Sequence, residues 1–340
     1  MDLKGLATQL NLSVTTVSRA LNGFPEVKAA TRERVIDAAR EAGYVPNRLA
    51  RSLQKGRTEA VGIVLPLPTG HFHDPFFAEL LVGLGQRLHE ADHDLMVTAA
   101  PLGVEEVAAY RRLVEGGRVD AMIVGRTRRR DERIDYLLDR GFPFVAHGRC
   151  DADRPYAHLD MDSEHGFREI CARLIGLGHR RIALINGPPE LNLSRLRAAG
   201  YRQALEAAGS RADPDLLACG DMTEQGGHDA ATRLLATQRP TALVCANDAM
   251  AVGALRAAKH AGLSVPGDVS ITGYDDLEIA RFTQPALTTL RQPVRKAGDK
   301  LAEMLLSLLA GAPADSLREI WVPSLVERES DGPAAVVAAG

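Results

Sequence analysis

The sequence predicts a small all-α helix-turn-helix head followed by an α/β body with parallel sheets. Three observations predict it. The first 57 residues carry apolar side chains at helical spacing, with short breaks. Beyond Gly56-Arg57-Thr58 the pattern changes to short apolar runs alternating with amphipathic helices, which is how βα units read in sequence. Charge divides at the same place: residues 1–60 balance to +4, the remainder to −7, for −3 overall. A chain of 340 residues has room for two or three domains and a sizeable core.

In the head, Asp2 is placed to N-cap a first helix with Leu3, Leu6, Ala7 and Leu10 along one face. Asn11 and Leu12 break it. Ser13 then N-caps a second helix whose apolar side is Val14, Val17 and Leu21 and whose other face is Thr15, Thr16, Ser18 and Arg19. Asn22-Gly23 ends that helix. A third opens near Thr31, with Val35, Ile36, Ala39 and Ala42 inward and Gly43 as terminator. Two short helices across a tight turn, backed by a third, form helix-turn-helix organisation. Hydroxyls and one guanidinium on a short helix suit a DNA major groove, and a basic head on an acidic body suits a polyanion partner. A solvated face has the same composition, and spacing does not separate the two readings. The stretch from Tyr44 to Gly56 reads as a further short helical segment, begun after Pro46, with three basic residues around two leucines. Alone it is too short to be stable in water, so it needs a partner, such as its own copy on DNA.

In the body, apolar runs predict strands at Ala60–Leu65, Asp94–Ala99, Ala121–Gly125, Pro143–His147, Arg181–Ile185, Ala242–Ala246 and Val269–Gly273. Amphipathic helices are predicted at Phe77–Ala91, Val104–Gly116, Gly166–Leu177 and Ala249–Ala261. Gly83-Leu84-Gly85 lies inside a helix pattern and lacks the third glycine of a dinucleotide loop; a Walker A loop is also missing. Cys150, Cys171, Cys219 and Cys245 form no CxxC pair or metal-like spacing, so no metal or cofactor is expected and the thiols read as reduced. The N-terminus is polar and helix-patterned, and no apolar run approaches the ~20 residues needed to span a bilayer. A cytoplasmic protein with access to DNA, and with no membrane partner, is expected.

Specific motifs carry the argument further. Val14-Thr15-Thr16-Val17-Ser18-Arg19-Ala20-Leu21-Asn22, then Gly43-Tyr44-Val45-Pro46-Asn47 and Leu49-Ala50, resemble the lactose-repressor (LacI) family of bacterial transcription regulators. In the body the same family is matched by Asp74-Pro75-Phe76-Phe77, Gly178-His179-Arg180-Arg181-Ile182-Ala183, Arg197-Ala198-Ala199-Gly200-Tyr201, Ala246-Asn247-Asp248 and Gly273-Tyr274-Asp275-Asp276. The resemblance implies a two-lobed, periplasmic-binding-protein-like body with a ligand cleft and three crossings between lobes. It implies a DNA-binding domain over 1–45, a hinge helix and linker over 46–58, an effector and dimerisation domain over 59–329, and a flexible tail over 330–340. One lobe is expected near 61–159 plus 291–318, the other near 160–290 plus 319–329.

By position in the family, Val14, Thr15 and Arg19 would face base edges, with Arg19 suited to a bidentate guanine contact. Thr16, Ser18 and Asn22 would hold phosphates. Asn47, Arg48, Ala50 and Leu53 belong to the hinge, where Leu53 matches a leucine that wedges between base pairs in the minor groove. In the body the resemblance implies effector contacts from Arg197, Asn247 and Asp275, whose donors and acceptors suit a polyol. Phe76 or Phe77 would supply a flat wall. His147, Arg149, Arg195, Met222 and Gln292 fall near ligand positions but differ from the best-known members. The phrase Pro143-Phe144-Val145-Ala146-His147-Gly148-Arg149 resembles the family's α-glucoside-type regulators. The implied partners are a palindromic operator, a small carbohydrate and a second copy of the chain. Ser330 to Gly340 lack a leucine heptad, so a dimer is expected rather than a tetramer.

Three other readings stand beside this one. The acid pairs Asp160/Asp162 and Asp275/Asp276 raise glycoside hydrolysis by two carboxylates, against which each pair sits in a binding or lobe-crossing motif. A soluble carbohydrate-binding protein with a dimerisation arm for a head is the second, and a regulator using a corepressor instead of an inducer is the third. The run Arg126-Thr127-Arg128-Arg129-Arg130-Asp131 reads as a solvated surface loop, with a second nucleic-acid contact as the alternative.

Overall fold

The computed structural model describes residues 1–44, 56–66, 75–101 and 103–334. The chain divides into two compact units, Met1–Glu59 and Ala60–Gly340. Asn47, Arg48, Ala50 and Leu53 lie outside the described residues, as do Asp74 and the last six positions.

The first unit holds α1 (Leu3–Leu10), α2 (Val14–Leu21) and α3 (Ala29–Glu41). Asp2 caps α1 by accepting from the Gly5 N–H at 2.7 Å. Ser13 caps α2 by accepting from the Thr16 N–H at 3.0 Å. The three helices close on Leu6, Ala7, Val17, Ala20, Val27, Val35, Ala38 and Ala39. Two apolar residues expected inside are not there. Val14 is 42 % and Ile36 39 % exposed, and Ala38 takes the inward place in α3.

The second unit has two lobes, each a six-stranded sheet between helices. Its elements run β1 (Ala60–Pro66), α4 (Pro75–Glu90), β2 (Asp94–Ala100), α5 (Val104–Glu115), β3 (Ala121–Val124), α6 (Glu132–Asp139), β4 (Phe144–His147) and β5 (Ala157–Met161). Then come α7 (Ser163–Gly176), β6 (Ile182–Asn186), α8 (Asn192–Ala207), β7 (Leu217–Cys219), α9 (Glu224–Thr237), β8 (Ala242–Cys245), α10 (Asp248–His260) and β9 (Ser270–Asp275). The last are β10 (Thr288–Arg291), α11 (Val294–Leu309), β11 (Arg318–Trp321) and β12 (Ser324–Val326). The first sheet has the order β11-β5-β4-β3-β1-β2 and the second β12-β10-β9-β8-β6-β7. All pairings are parallel except β10 with β12. β1, β3 and β8, inside their sheets, are apolar almost throughout and fully buried because helices cover both faces. Gly83, the first glycine of the incomplete dinucleotide pattern, has a packing role: a Cβ there would lie 2.0 Å from the Arg295 carbonyl, so α4 and α11 meet backbone to backbone.

Two boundaries differ from the expected ones. β11 pairs in parallel with β5, Trp321 opposite Met161, so residues 318–321 belong to the first lobe and the third crossing falls at Val322-Pro323. The start of the expected tail is also built in. Ser330 and Asp331 are buried. Ser330 takes the Ile271 N–H at 2.8 Å through its carbonyl. Asp331 accepts from Thr288 at 2.5 Å and from Arg173 Nε at 2.6 Å. Small polar residues read as linker, yet here they complete the polar seam beside β9 and β10.

Candidate functional sites: the second helix of the head and the interlobe cleft

In the head, one face of α2 is turned to solvent. Val14, Thr15 and Arg19 are exposed; Thr16 and Ser18 are half-buried. Thr16 Oγ1 lies 2.8 Å from Ser13 Oγ, at the capped end of the helix. Asn22 donates from Nδ2 to the Ser18 carbonyl at 2.9 Å, a bond that helps close the helix. Two other cations of the head serve its frame. Arg32 donates to the Phe24 carbonyl at 2.8 Å, and Arg34 to the Leu10 carbonyl at 3.0 Å. Arg19 is left on the face that α2 turns outward.

In the body, one cleft gathers residues from both lobes, at the carboxyl ends of the strands where open α/β sheets place ligands. Phe76 at the start of α4, His147 and Arg149 after β4, and Asp160 on β5 come from the first lobe. Arg197 on α8, Met222 before α9, Asn247 before α10 and Asp275 at the end of β9 come from the second, with Gln292 at a crossing. The space between the lobes, counted out to the open mouth, is about 640 Å³.

The polar groups are held in place. Arg197, 4 % exposed, donates Nη1 to the Ala246 carbonyl at 2.6 Å and lies 4.3 Å from the Tyr274 ring centroid. Gln292 Nε2 donates to Asp275 Oδ1. Arg149 Nε donates to Asp160 Oδ2, while Asp160 Oδ1 takes the Met161 N–H at 2.9 Å. Among the described residues, His147 Nε2 and Arg197 Nε are buried with no protein partner. Such orphans in a cleft mark places where a ligand or ordered water bonds. Burial pushes the His147 imidazole below its ordinary value, with Asp160 opposing, so the ring is neutral near pH 7 and keeps one acceptor nitrogen. Phe76 and His147 form a tilted pair with ring centroids 5.6 Å apart. Three non-glycine lining residues have positive φ: Arg126 at 48°, Met222 at 70° and Asp275 at 119°. Strain of this kind concentrates at functional sites.

Some expected residues fall elsewhere. Arg195 is exposed and outside the lining; its Nε donates to Asn192 Oδ1 at 3.0 Å. Two residues along a helix is a turn of about 200°, so Arg195 and Arg197 point to opposite sides of α8. Asn247 lines the cleft, but its amide is used by the protein: Oδ1 caps α10 through the Met250 N–H at 2.9 Å, and Nδ2 donates to the Met222 carbonyl at 2.9 Å. Phe77 is in the core, leaving Phe76 as the wall. The acid pairs are split between tasks. Asp162 caps α7 through the His165 N–H at 3.0 Å, and Asp276 pairs with Arg291 and Arg328. Asp160, Arg126 and Asn192 also line the cleft. Asp160 stood out in sequence only as half of a pair, and Asn192 had no signal at all.

Residues 2–47 match the family model for bacterial regulatory proteins of the lacI family, and residues 171–330 the periplasmic binding protein-like domain. The HTH-type transcriptional regulator AglR of Rhizobium meliloti (strain 1021) is 40 % identical over 341 residues, covering 98 % of this chain and 95 % of AglR. The chain belongs to the LacI family. This LacI-family regulator is also similar to the structure of the transcriptional regulator CelR–cellobiose complex, with a TM-score of 0.75 and 33 % identity over 97 % of this chain and 99 % of that one. The lac repressor dimer bound to operator and the anti-inducer ONPF gives 0.85 and 28 % over 97 % and 98 %. The protein is therefore a DNA-binding transcriptional regulator and not an enzyme. The reading of the head as a mere dimerisation arm is set aside. No helix among the described residues is long and apolar enough to cross a membrane.

Proposed function

We propose that this LacI-family regulator is a repressor released from a palindromic operator when a small carbohydrate, an α-glucoside or disaccharide, occupies the interlobe cleft. The observation that carries the reading is the cleft's chemistry. The Asp275–Gln292 and Arg149–Asp160 pairs and the partly unpaired Arg197 face a cleft walled by Phe76 and the ring of His147. Bidentate polar groups take sugar hydroxyls, and a flat apolar wall takes the C–H face. The similar CelR structure is a complex with cellobiose, which supports a sugar as the ligand class.

In this mechanism Val14, Thr15 and Arg19 read base edges while Thr16 and Ser18 hold phosphates. Two heads reach a two-fold operator through a homodimer. Phe282 at 71 %, Ile279 at 44 % and Val82 at 46 % exposure are apolar surface for such a partner to cover. Sugar shifts the lobe equilibrium only through differential affinity for its two states, and that shift disturbs the hinge carrying Leu53.

The test is fluorescence anisotropy on DNA from upstream of the chain's own reading frame, titrated with maltose, sucrose, trehalose and cellobiose. Release by one of these sugars is expected, while tighter binding on sugar addition would make the ligand a corepressor. No change across a wide concentration range with all four sinks the carbohydrate assignment. Sedimentation is expected to give a dimer, and Leu53→Ala to reduce DNA bending.

A further inference from the structure

The run Arg126–Asp131, which read as a solvated loop, is solvated at Arg129 and Arg130, while Arg126 and Thr127 line the cleft. It leaves the first lobe after β3 and lies along the start of α8 in the second. Arg128 and Leu191 form an antiparallel bridge. The Asn192 N–H donates to the Thr127 carbonyl at 2.9 Å and the Arg129 N–H to the Glu190 carbonyl at 3.3 Å. The Arg149 carbonyl receives from both sides: Thr127 Oγ1 at 2.8 Å from its own lobe and Asn192 Nδ2 at 2.9 Å from the other.

A buried ion cluster in the first lobe backs this segment. Glu106 on α5 pairs with both Arg128 and Arg133. Arg133 donates Nε to Asp131 Oδ1 at 2.9 Å, Nη2 to Asp131 Oδ2 at 2.6 Å, and Nη2 to the Arg126 carbonyl at 3.1 Å. Asp131 also takes the Arg128 N–H at 2.9 Å. Glu106, Arg133 and Asp131 are 0 %, 1 % and 2 % exposed. Burial pushes the Asp131 carboxyl up, but the bonds from Arg133 outweigh it and hold the group below its ordinary value, ionised. Charges this deep are costly unless fully partnered, and here each partner is spent on fixing one loop. None of the three lines the ligand cleft.

We infer that Arg126–Asp131 is a latch that holds the two lobes closed, and that Glu106 and Arg133 are positioning residues which set its stiffness from outside the ligand cleft. The main-chain bonds across the lobes join them in the arrangement seen here, and opening the cleft by separating the lobes at this point would break them, so the latch stabilises the closed state. A ligand that binds the closed state then has an apparent affinity scaled by the closed fraction. That consequence for effector affinity rests on the cleft being the effector site; the latch itself does not.

Hydrogen–deuterium exchange on the full chain, without DNA or sugar, tests it. Glu106→Gln is expected to speed exchange of the Asn192 amide, which sits in the opposite lobe, by about tenfold, because closing free energies enter exchange rates directly. The β6 amides of that lobe keep their rates. A loosening confined to the first lobe, with the Asn192 amide unchanged, overturns the latch. Should Glu106→Gln fail to fold, Asn192→Pro decides. Asn192 is the first residue of α8, where proline is tolerated, and Leu191 before it has the extended backbone proline requires. This variant removes the N–H that bridges the lobes, and exchange of the Arg129 amide is expected to rise about tenfold, against a smaller rise in Asn192→Ala, which keeps the N–H. An Arg129 amide unmoved by Asn192→Pro refutes the proposal. Because neither operator nor sugar enters the measurement, failure of the carbohydrate assignment leaves a distinct result.

Discussion

The head and the cleft use the same kinds of side chain in opposite settings. Thr15 and Arg19 stand exposed on α2, whereas Arg197 and Asp275 are each 4 % exposed and fixed by their neighbours. A DNA groove is a large, preformed, charged surface that receives a convex reader, so its contacts wait in water. A small polar ligand has little surface, and its binding site must desolvate it and meet each hydroxyl with a pre-aimed partner. Exposure suits the DNA-reading role proposed for the head, and burial the ligand-binding role proposed for the cleft.

The largest break in this contrast is expected from Arg197→Met. Removing a buried cation that pairs with the Ala246 carbonyl and stacks on Tyr274 should cost roughly 2–5 kcal/mol of effector binding. Calorimetry should show the loss while operator affinity stays at the wild-type value. If both fall together, head and cleft are not separable in the way described.

A pH effect sharpens the buried side. Burial pushes the Asp248 carboxyl up to about 7, against the hydrogen bonds from Thr289 and the Leu277 N–H that favour its ionised form. Between about pH 4 and its folded value the group is protonated in the fold and ionised in the unfolded chain, so the fold loses stability as pH rises through that window. Thermal melting is expected to show the loss in the wild type, and a smaller slope over the same window in Asp248→Asn. An identical slope in both proteins removes Asp248 as its source.

On the exposed side, Arg19→Ala should cost roughly 1–3 kcal/mol of operator affinity and relax preference at one base pair. Binding to a randomised operator library measures both; uniform weakening with unchanged preference would make Arg19 a phosphate contact. The smallest effect is expected from Ser13→Ala, about 1 kcal/mol of head stability through loss of the cap on α2. Calorimetric melting should shift the head's transition and leave the body's in place.

Legibility followed the same divide. The head was readable because its caps and breaks are local: Asp2, Ser13 and Gly23 act within one turn of their own position. Val14 and Ile36 were misplaced because helical spacing marks a stripe but not how wide the packed contact is. In the body, the apolar runs of β1, β3, β6 and β8 were legible, while β5, β7, β10, β11 and β12 were not. Those strands are short or are interrupted by polar and charged residues, so no apolar run marks them.

Composition, local capping and apolar periodicity determined that this chain has a basic helix-turn-helix head and an α/β body, because those signals act over a few residues. Only the tertiary structure decided that Arg197 faces the cleft and Arg195 does not, that Asn247 spends its amide on the protein, and that Ser330 and Asp331 are core. It also placed Arg126 and Thr127 in the cleft and bridged Arg128 to Leu191, leaving Arg129 and Arg130 solvated, with Arg133 buried just beyond the run. Arginine is read as surface because an unpaired buried charge is prohibitive, and what makes Arg133 tolerable inside is a carboxylate 27 positions away.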